Sequence, residues 1–313
     1  MNALGFYKNL AFFIILLLNL SAHAQSSLVI LSEETNQPLP YASIVNHTKQ
    51  QLFFSNEKGI LEHRFEKGDS ISITYVGYQK LDFRYYGIEN LSVKLALLPS
   101  LLNSLTVSAC KKWKKNLYSN LKGDSSGRSF GGLQWDDQSL NAKVAILLEP
   151  ESVNTYLHDF SIWLERFFMA PKESFKAPVK FSFYEKNDST GLPGNLISNK
   201  EIIYQPKKTG RQLITADSLH IFIPPGGLYL CIEYPLLPEF SYPVKFTNKE
   251  TGTDSIHIMY GARFDGIYAK TNIMVFYNFF LSNWHFARNR TKDDMYKTHG
   301  TIKFAYTVKS CAD

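Results

Sequence analysis

The chain has 313 residues, a formal charge of +6, and 14% aromatic residues, with 23 Phe and 18 Tyr. The positive charge is spread along the sequence instead of forming a block, which argues against a nucleic-acid footprint. Three cysteines, Cys110, Cys231 and Cys311, are too few for a disulfide-built scaffold; an oxidising compartment would permit one bridge and leave one thiol over, and the spacing does not say which.

Residues 1–24 have the three parts of a secretory signal peptide. Lys8 supplies the positive start, Leu10-Ala11-Phe12-Phe13-Ile14-Ile15-Leu16-Leu17-Leu18 is an unbroken apolar run, and Ala22-His23-Ala24 is an Ala-x-Ala cleavage pattern, with the cut between Ala24 and Gln25. The run is about half of the ~20 residues a membrane-spanning helix needs. No Cys stands at the cut, which argues against a lipoprotein anchor. The next most apolar stretch, Ile273 to Leu281, is interrupted by Tyr277 and Asn278 and reads as a strand. The expectation is an exported protein of the periplasm, outer-membrane surface or cell surface, with no transmembrane helix in its mature chain.

Beyond the leader, helical periodicity is scarce. Short alternating runs separated by Gly, Pro, Asn and Asp predict an all-β chain. The first module, 25–109, carries four ordered signals. Asn36 to Ile44 is a Pro-rich turn leading into a strand, and Ser55-Asn56-Glu57-Lys58-Gly59 is a turn in which Gly59 can take positive φ. Asp69 to Tyr78 is a strand that bends at Gly77, and Leu91 to Leu95 closes the unit. In Pro38-Leu39-Pro40-Tyr41-Ala42-Ser43-Ile44, Asn56-Glu57-Lys58-Gly59, Thr74-Tyr75-Val76-Gly77-Tyr78 and Val93-Lys94-Leu95 this module resembles the carboxypeptidase regulatory-like domain, a transthyretin-like β-sandwich. Thr74 replaces the usual Ser, and Leu61 stands where an aromatic is common. The resemblance covers about a quarter of the chain. It implies an accessory, non-catalytic domain of an exported gram-negative bacterial protein.

Residues 110–139 contain Lys111-Lys112-Trp113-Lys114-Lys115 and a Gly/Ser-rich stretch, and read as a polar linker. From 140 to 313 about nine strands are predicted: Lys143 to Leu148, Phe160 to Phe168, Val179 to Glu185, Ile202 to Gln205, Leu219 to Ile223, Leu228 to Tyr234, Ile256 to Tyr260, Asn272 to Leu281 and Thr301 to Val308. Leu192-Pro193-Gly194-Asn195-Leu196, followed by Pro225-Gly226-Gly227-Leu228-Tyr229, is similar to accessory jelly-roll-type sandwiches of secreted bacterial proteins. Alternation sets Cys231 with Tyr229 and Glu233, opposite Leu228, Leu230, Ile232 and Tyr234. Cys311 continues the Lys303/Thr307 face, so both thiols are expected to be accessible.

Motifs that suggest chemistry fail on context. Gly127-Arg128-Ser129-Phe130-Gly131 matches a nucleophile elbow but lacks the strand and helix that make one work. His63-Arg64-Phe65-Glu66 offers two zinc ligands without a third. The pairs Asp136-Asp137 and Asp293-Asp294 lack EF-hand spacing. No catalytic residue, metal or cofactor is therefore expected. The expected function is binding or scaffolding in the envelope, with a glycan or an envelope protein as partner. The alternative is a secreted hydrolase whose site assembles from loops of the second sandwich. Trp284, Trp163 and Trp135 are the candidate ligand-binding residues; Trp284, after a polar turn, is the better candidate for exposure against a packing role, and for Trp163 core packing and a sheet-face platform are both open. Mass spectrometry of the native protein should find Gln25 as the mature N-terminus, and an intact Met1 start in the envelope fraction would overturn the leader assignment.

Overall fold

The computed structural model describes residues 26–99, 112–121, 124–130, 134–135, 139–140, 143–149, 155–198, 201–247, 251–269, 274–286 and 299–311. The leader, with Ala24 and Gln25, lies outside them. The described residues are all-β, with helical structure confined to three single turns of 3-10 helix. No helix among them is long and apolar enough to cross a membrane.

The first module is a seven-stranded sandwich. Its strands are β1 (Ser27–Ser32), β2 (Ser43–Asn46), β3 (Gln51–Phe54), β4 (Ile60–Glu62), β5 (Ser70–Thr74), β6 (Leu81–Arg84) and β7 (Asn90–Leu95). One sheet runs β4-β1-β7, with β1 and β7 parallel, and the other runs β3-β2-β5-β6. Alternation buries Leu28, Ile30, Ile44, Ile71, Ile73 and Leu95 between them. The Asn56–Gly59 turn is fixed by Asn56 Oδ1, which accepts from the amides of Lys58 and Ile60. Gly59 has φ +71°, and a Cβ there would stand 2.9 Å from the Ile30 carbonyl oxygen, so both conformation and space require glycine. The strand before Gly77 ends at Thr74, and Gly77 takes φ +81° in the bend that follows.

The second module comprises β8 (Trp113–Ser119), β9 (Asp124–Phe130), β10 (Gln134–Trp135), β11 (Ser139–Leu140), β12 (Lys143–Leu148), β13 (Thr155–Glu165), β14 (Val179–Lys186), β15 (Pro193–Leu196), β16 (Ile202–Tyr204), β17 (Gly210–Thr215), β18 (Phe222–Ile223) and β19 (Leu228–Glu233). It continues through β20 (Ser241–Thr247), β21 (Asp254–Tyr260), β22 (Arg263–Ala269), β23 (Met274–Asn278), β24 (Asn283–Phe286), β25 (His299–Ile302) and β26 (Phe304–Cys311). A seven-stranded sheet runs β15-β14-β19-β12-β23-β24, with β16 also on β14. An eight-stranded sheet runs β25-β22-β13-β26-β8, with β17 and β18 on β13 and β9 on β22. From β12 onward the chain passes repeatedly from one sheet to the other, which is jelly-roll-like winding. Their inner faces meet around Phe160, Phe181, Phe183, Leu230, Phe264 and Phe304. Phe160 packs edge-on against Phe181 and Phe183 at 4.9 and 6.4 Å, worth roughly 0.5–1.5 kcal/mol per pair beyond area burial.

Several strand limits differ from the sequence reading. The strand expected at Phe160 to Phe168 is Thr155–Glu165, and Leu219 to Ile223 is a 3-10 turn at Asp217–Leu219 followed by β18. The run 301–308 divides at Lys303, whose amide bonds to the Asp265 carbonyl as the sheet passes from β25 to β26.

The larger correction concerns the linker. Trp113–Ser119 pairs along its whole length with β26, and Asp124–Phe130 pairs with β22. The strands Trp113–Ser119 and Asp124–Phe130 are therefore part of the second sandwich. Its lysines conceal an edge strand whose inward residues include Tyr118, stacked on Tyr306 at 5.1 Å. Native-state trypsin digestion should accordingly spare Lys114 and Lys115. A first cut at either bond would restore the linker reading.

Candidate functional site

The outward face of the seven-stranded sheet carries a buried ionic rung. On β12, β19 and β14, the residues Val144, Ile232 and Phe181 point into the core, so their neighbours Lys143, Glu233 and Lys180 point outward. Register sets these three directly opposite one another, Lys143 facing Glu233 and Glu233 facing Lys180. Glu233 lies 3.1 Å from Lys143 Nζ and 3.4 Å from Lys180 Nζ, and Lys180 pairs on its other side with Glu201 at 3.3 Å.

The first sandwich covers this rung. Ser43 Oγ donates to Glu233 Oε1 at 3.0 Å, Lys180 Nζ donates to the Tyr41 carbonyl at 2.9 Å, and the Tyr75 ring centroid is 4.9 Å from Lys180 Nζ. Beside these polar contacts, Val45 and Phe54 of the first sandwich pack on Leu237 and Phe279 of the second. Burial opposes ionisation of Glu233, but the Lys180 and Lys143 ammoniums outweigh it and hold the carboxyl at about 2. Burial likewise disfavours the Lys180 cation, and Glu201 and Glu233 raise its pKa above the ordinary value. At Glu201 burial wins over Lys180, and its pKa is raised.

Lys143 also sits near three rings: Tyr277 at 4.9 Å, Tyr184 at 5.8 Å and Trp284 at 5.9 Å. Trp284 pairs through β24 with Tyr277 and packs edge-on against Tyr277 and Tyr184. It is partly buried and packs against the cluster of Ala145, Leu147, Tyr229, Cys231 and Val275, the packing role that the sequence left open beside exposure. Cys231 is likewise fully buried, two residues along the same face from Glu233, and burial pushes its thiol up to about 12. The face was assigned correctly by alternation; its accessibility was not.

The outward face of the eight-stranded sheet is different. Successive rungs across β8, β26, β13 and its outer neighbours read Lys115/Lys309/Tyr156/Phe222, then Leu117/Thr307/Asp159/Thr215, then Ser119/Ala305/Ser161/Leu213. Trp163 with Arg211 and Lys303 completes the series. Leu117 and Leu213 are 68% and 55% exposed, flanking Ser161 and Ala305, which are almost fully covered. At one end the Trp163 ring is 5.7 Å from the Arg211 guanidinium and 5.5 Å from Lys303 Nζ. Arg211 Nε donates to Ser161 Oγ at 3.1 Å, and Lys303 pairs with Asp265 at 3.3 Å.

At the other end a bulge between Leu157 and Asp159 carries His158. Such bulges re-aim side chains, and here the imidazole reaches two partners. Lys115 Nζ is 2.6 Å from His158 Nε2, and Asp217 Oδ1 is 3.1 Å from Nδ1. Lys309 donates to both Asp217 oxygens at 2.5 and 2.7 Å and holds that carboxyl below its ordinary pKa. Trp113 packs edge-on against Tyr156 beside them.

Thus Trp163 and Trp284 lie on different sheets. Trp135 belongs to β10, and its side chain is outside the described residues. Ser129 of the elbow-like motif is on β9, paired with Asp265 of β22. His63 packs against Phe53 and Phe65. Asp136-Asp137 and Asp293-Asp294 lie outside the described residues, among which no group of three side chains is arranged to hold a metal. No protein-family model matches the chain, and no curated protein matches it.

Sequence reasoning missed the ionic rung and the His158 cluster. A usable signal for the rung was one ionisable residue in each of three otherwise apolar or aromatic strands, Lys143, Lys180 and Glu233. Glu233→Ala should cost ~3–5 kcal/mol in urea denaturation, since it leaves two buried ammoniums without their shared partner. In the wild type, the Glu233 contribution is present above its ordinary value of 4.5 and is lost as pH falls through about 2, while the raised pKa of Glu201 acts in the opposite sense. A loss below ~1 kcal/mol would show that the rung contributes little beyond a surface pair.

Proposed function

We propose that this is an exported, non-catalytic binding protein of the bacterial envelope, and that it binds glycan on the outward face of its eight-stranded sheet. The observation that carries this reading is the partly exposed Trp163 indole, set between the Arg211 guanidinium and Lys303 on the outward face of this sheet. A sugar's C–H face stacks on such a ring while neighbouring donors bond its hydroxyls. Arg211 is exposed; its Nε donates to Ser161 and its guanidinium lies over the Trp163 ring, while its terminal nitrogens make no hydrogen bond to another described residue and can serve a ligand. The N-terminal sandwich supports the same reading, because its four motifs resemble those of accessory domains in exported proteins. That resemblance carries no peptidase activity with it.

One observation favours a hydrolase instead: His158 lies between Asp217, 3.1 Å from Nδ1, and Lys115, 2.6 Å from Nε2, although Nδ1 makes no hydrogen bond of good geometry. Lys115 occupies Nε2, however, and among the described residues no hydroxyl or thiol stands within hydrogen-bond distance of that nitrogen. The binding reading is therefore preferred.

Trp163→Ala should leave the fold intact and weaken retention on a glycan array by about tenfold or more, equivalent to ~1.4 kcal/mol. Wild-type protein that retains no glycan would leave an envelope protein as the partner. Time-dependent, His158-dependent cleavage of a retained glycan would establish the hydrolase instead.

A further inference from the structure

The two ends of the proposed glycan face share a pattern of charge. Each has two cations beside aromatic rings, the single Trp163 indole at one end and the Trp113/Tyr156/Phe222 cluster at the other, and at each end one cation has a carboxylate partner and one does not. At the Trp163 end Lys303 is paired with Asp265, while Arg211 has no carboxylate partner among the described residues. At the Trp113/Tyr156 end Lys309 is paired with Asp217, while Lys115 reaches only the His158 ring and likewise has no carboxylate partner among the described residues. Both unpaired cations are on exposed residues.

Four residues of β13 lie between His158 and Trp163, a span of roughly 15 Å given the bulge at His158. Between the ends the sheet presents Ser119, Thr307 and Thr215, with exposed Leu117 and Leu213 at the sides and Ser161 and Ala305 almost fully covered beneath them. Asp159 is the carboxylate on this stretch, and it lies 3.7 Å from His158 Nε2. Arg211 and Lys115 thus stand at opposite ends of the face without a carboxylate at salt-bridge distance among the described residues, with Asp159 as the carboxylate near the Lys115 end.

Resting on the glycan reading above, we propose that the ligand is an acidic polysaccharide laid along β13, with separate negative groups held by Arg211 and by Lys115. A compact anion would engage one end alone. A neutral chain would leave both cations without a role in recognition. The separation exceeds the ~8 Å screening length at physiological ionic strength, so the two ends contribute independently.

The test uses the full mature chain, a uronic-acid polymer, and the same polymer after carboxyl reduction. Wild-type protein should bind the acidic polymer at least tenfold more tightly than its reduced form, and the difference should shrink as salt rises. R211Q and K115Q should each weaken acidic-polymer binding roughly fivefold and the double variant by about the product, K115Q should leave binding of the reduced polymer unchanged, and R211Q should weaken the acidic polymer more than the reduced one. Circular dichroism and thermal unfolding of the variants serve as the folding control. Equal binding of acidic and reduced polymers would overturn the acidic assignment and leave the glycan reading standing, whereas failure of every glycan to bind would overturn both. Preferential capture of single-stranded nucleic acid over the uronate would also overturn it, by showing that the cations select another polyanion.

Discussion

Lys143, Glu233 and Lys180 form one rung across three adjacent strands, and the arrangement of the two sandwiches depends on it. Taking three charges out of water is unfavourable unless each finds a partner and the remaining polar atoms are bonded. The rung meets the first condition by cross-strand register and the second by contacts from the other sandwich, through Ser43, the Tyr41 carbonyl and Tyr75. It also penalises misregistration. A one-residue slip of β19 would turn Glu233 into the layer of Phe181 and Val144, where no cation waits. The N-terminal sandwich is thus docked on the second, with the apolar contact of Phe54 and Phe279 beside the ionic one.

This docking divides the two outer faces of the second sandwich between different tasks. The seven-stranded sheet turns its outer side toward the first sandwich and toward the aromatic group around Lys143. The eight-stranded sheet keeps exposed Leu117, Leu213, Arg211 and Lys115 on its outer side. Trp284 and Trp163 show the distinction at single-residue level: each lies near cations, yet one packs within a hydrophobic cluster and the other is at the proposed binding face.

Much of the β architecture was legible from alternation. Leu228, Leu230 and Ile232 do face the core, as do Ile302, Phe304, Tyr306 and Val308. Gly59 takes the positive φ that its turn motif demanded. Alternation fails where pairing is made by backbone bonds and the side chains do not advertise it. β9, of sequence Asp-Ser-Ser-Gly-Arg-Ser-Phe, has no apolar stripe and yet pairs with β22. In β8 the two inward positions between the lysines are Asn116 and Tyr118, too short a stripe to stand out from a linker. The site was less legible for a related reason. Parity assigns a face but does not tell what covers it, so Cys231 reads as accessible and Trp284 as either exposed or packed. The His158 cluster depends on a bulge and on partners 43 and 59 positions away, which no local pattern encodes.

The position of β26 has a consequence for how the molecule comes into being. This strand, Phe304–Cys311, lies between β13 and β8 and is the sole sheet neighbour of β8. Trp113–Ser119 must therefore wait for a segment nearly two hundred residues later before its backbone groups find partners. Contacts of such long sequence separation slow folding, because chain closure must precede the reward. During synthesis the second sandwich can assemble its seven-stranded sheet while the eight-stranded one remains open, with the β13 and β22 edges exposed. A chain carried through a membrane channel in extended form would meet no premature obstacle from this sheet, since the strand that locks it emerges last among the described elements.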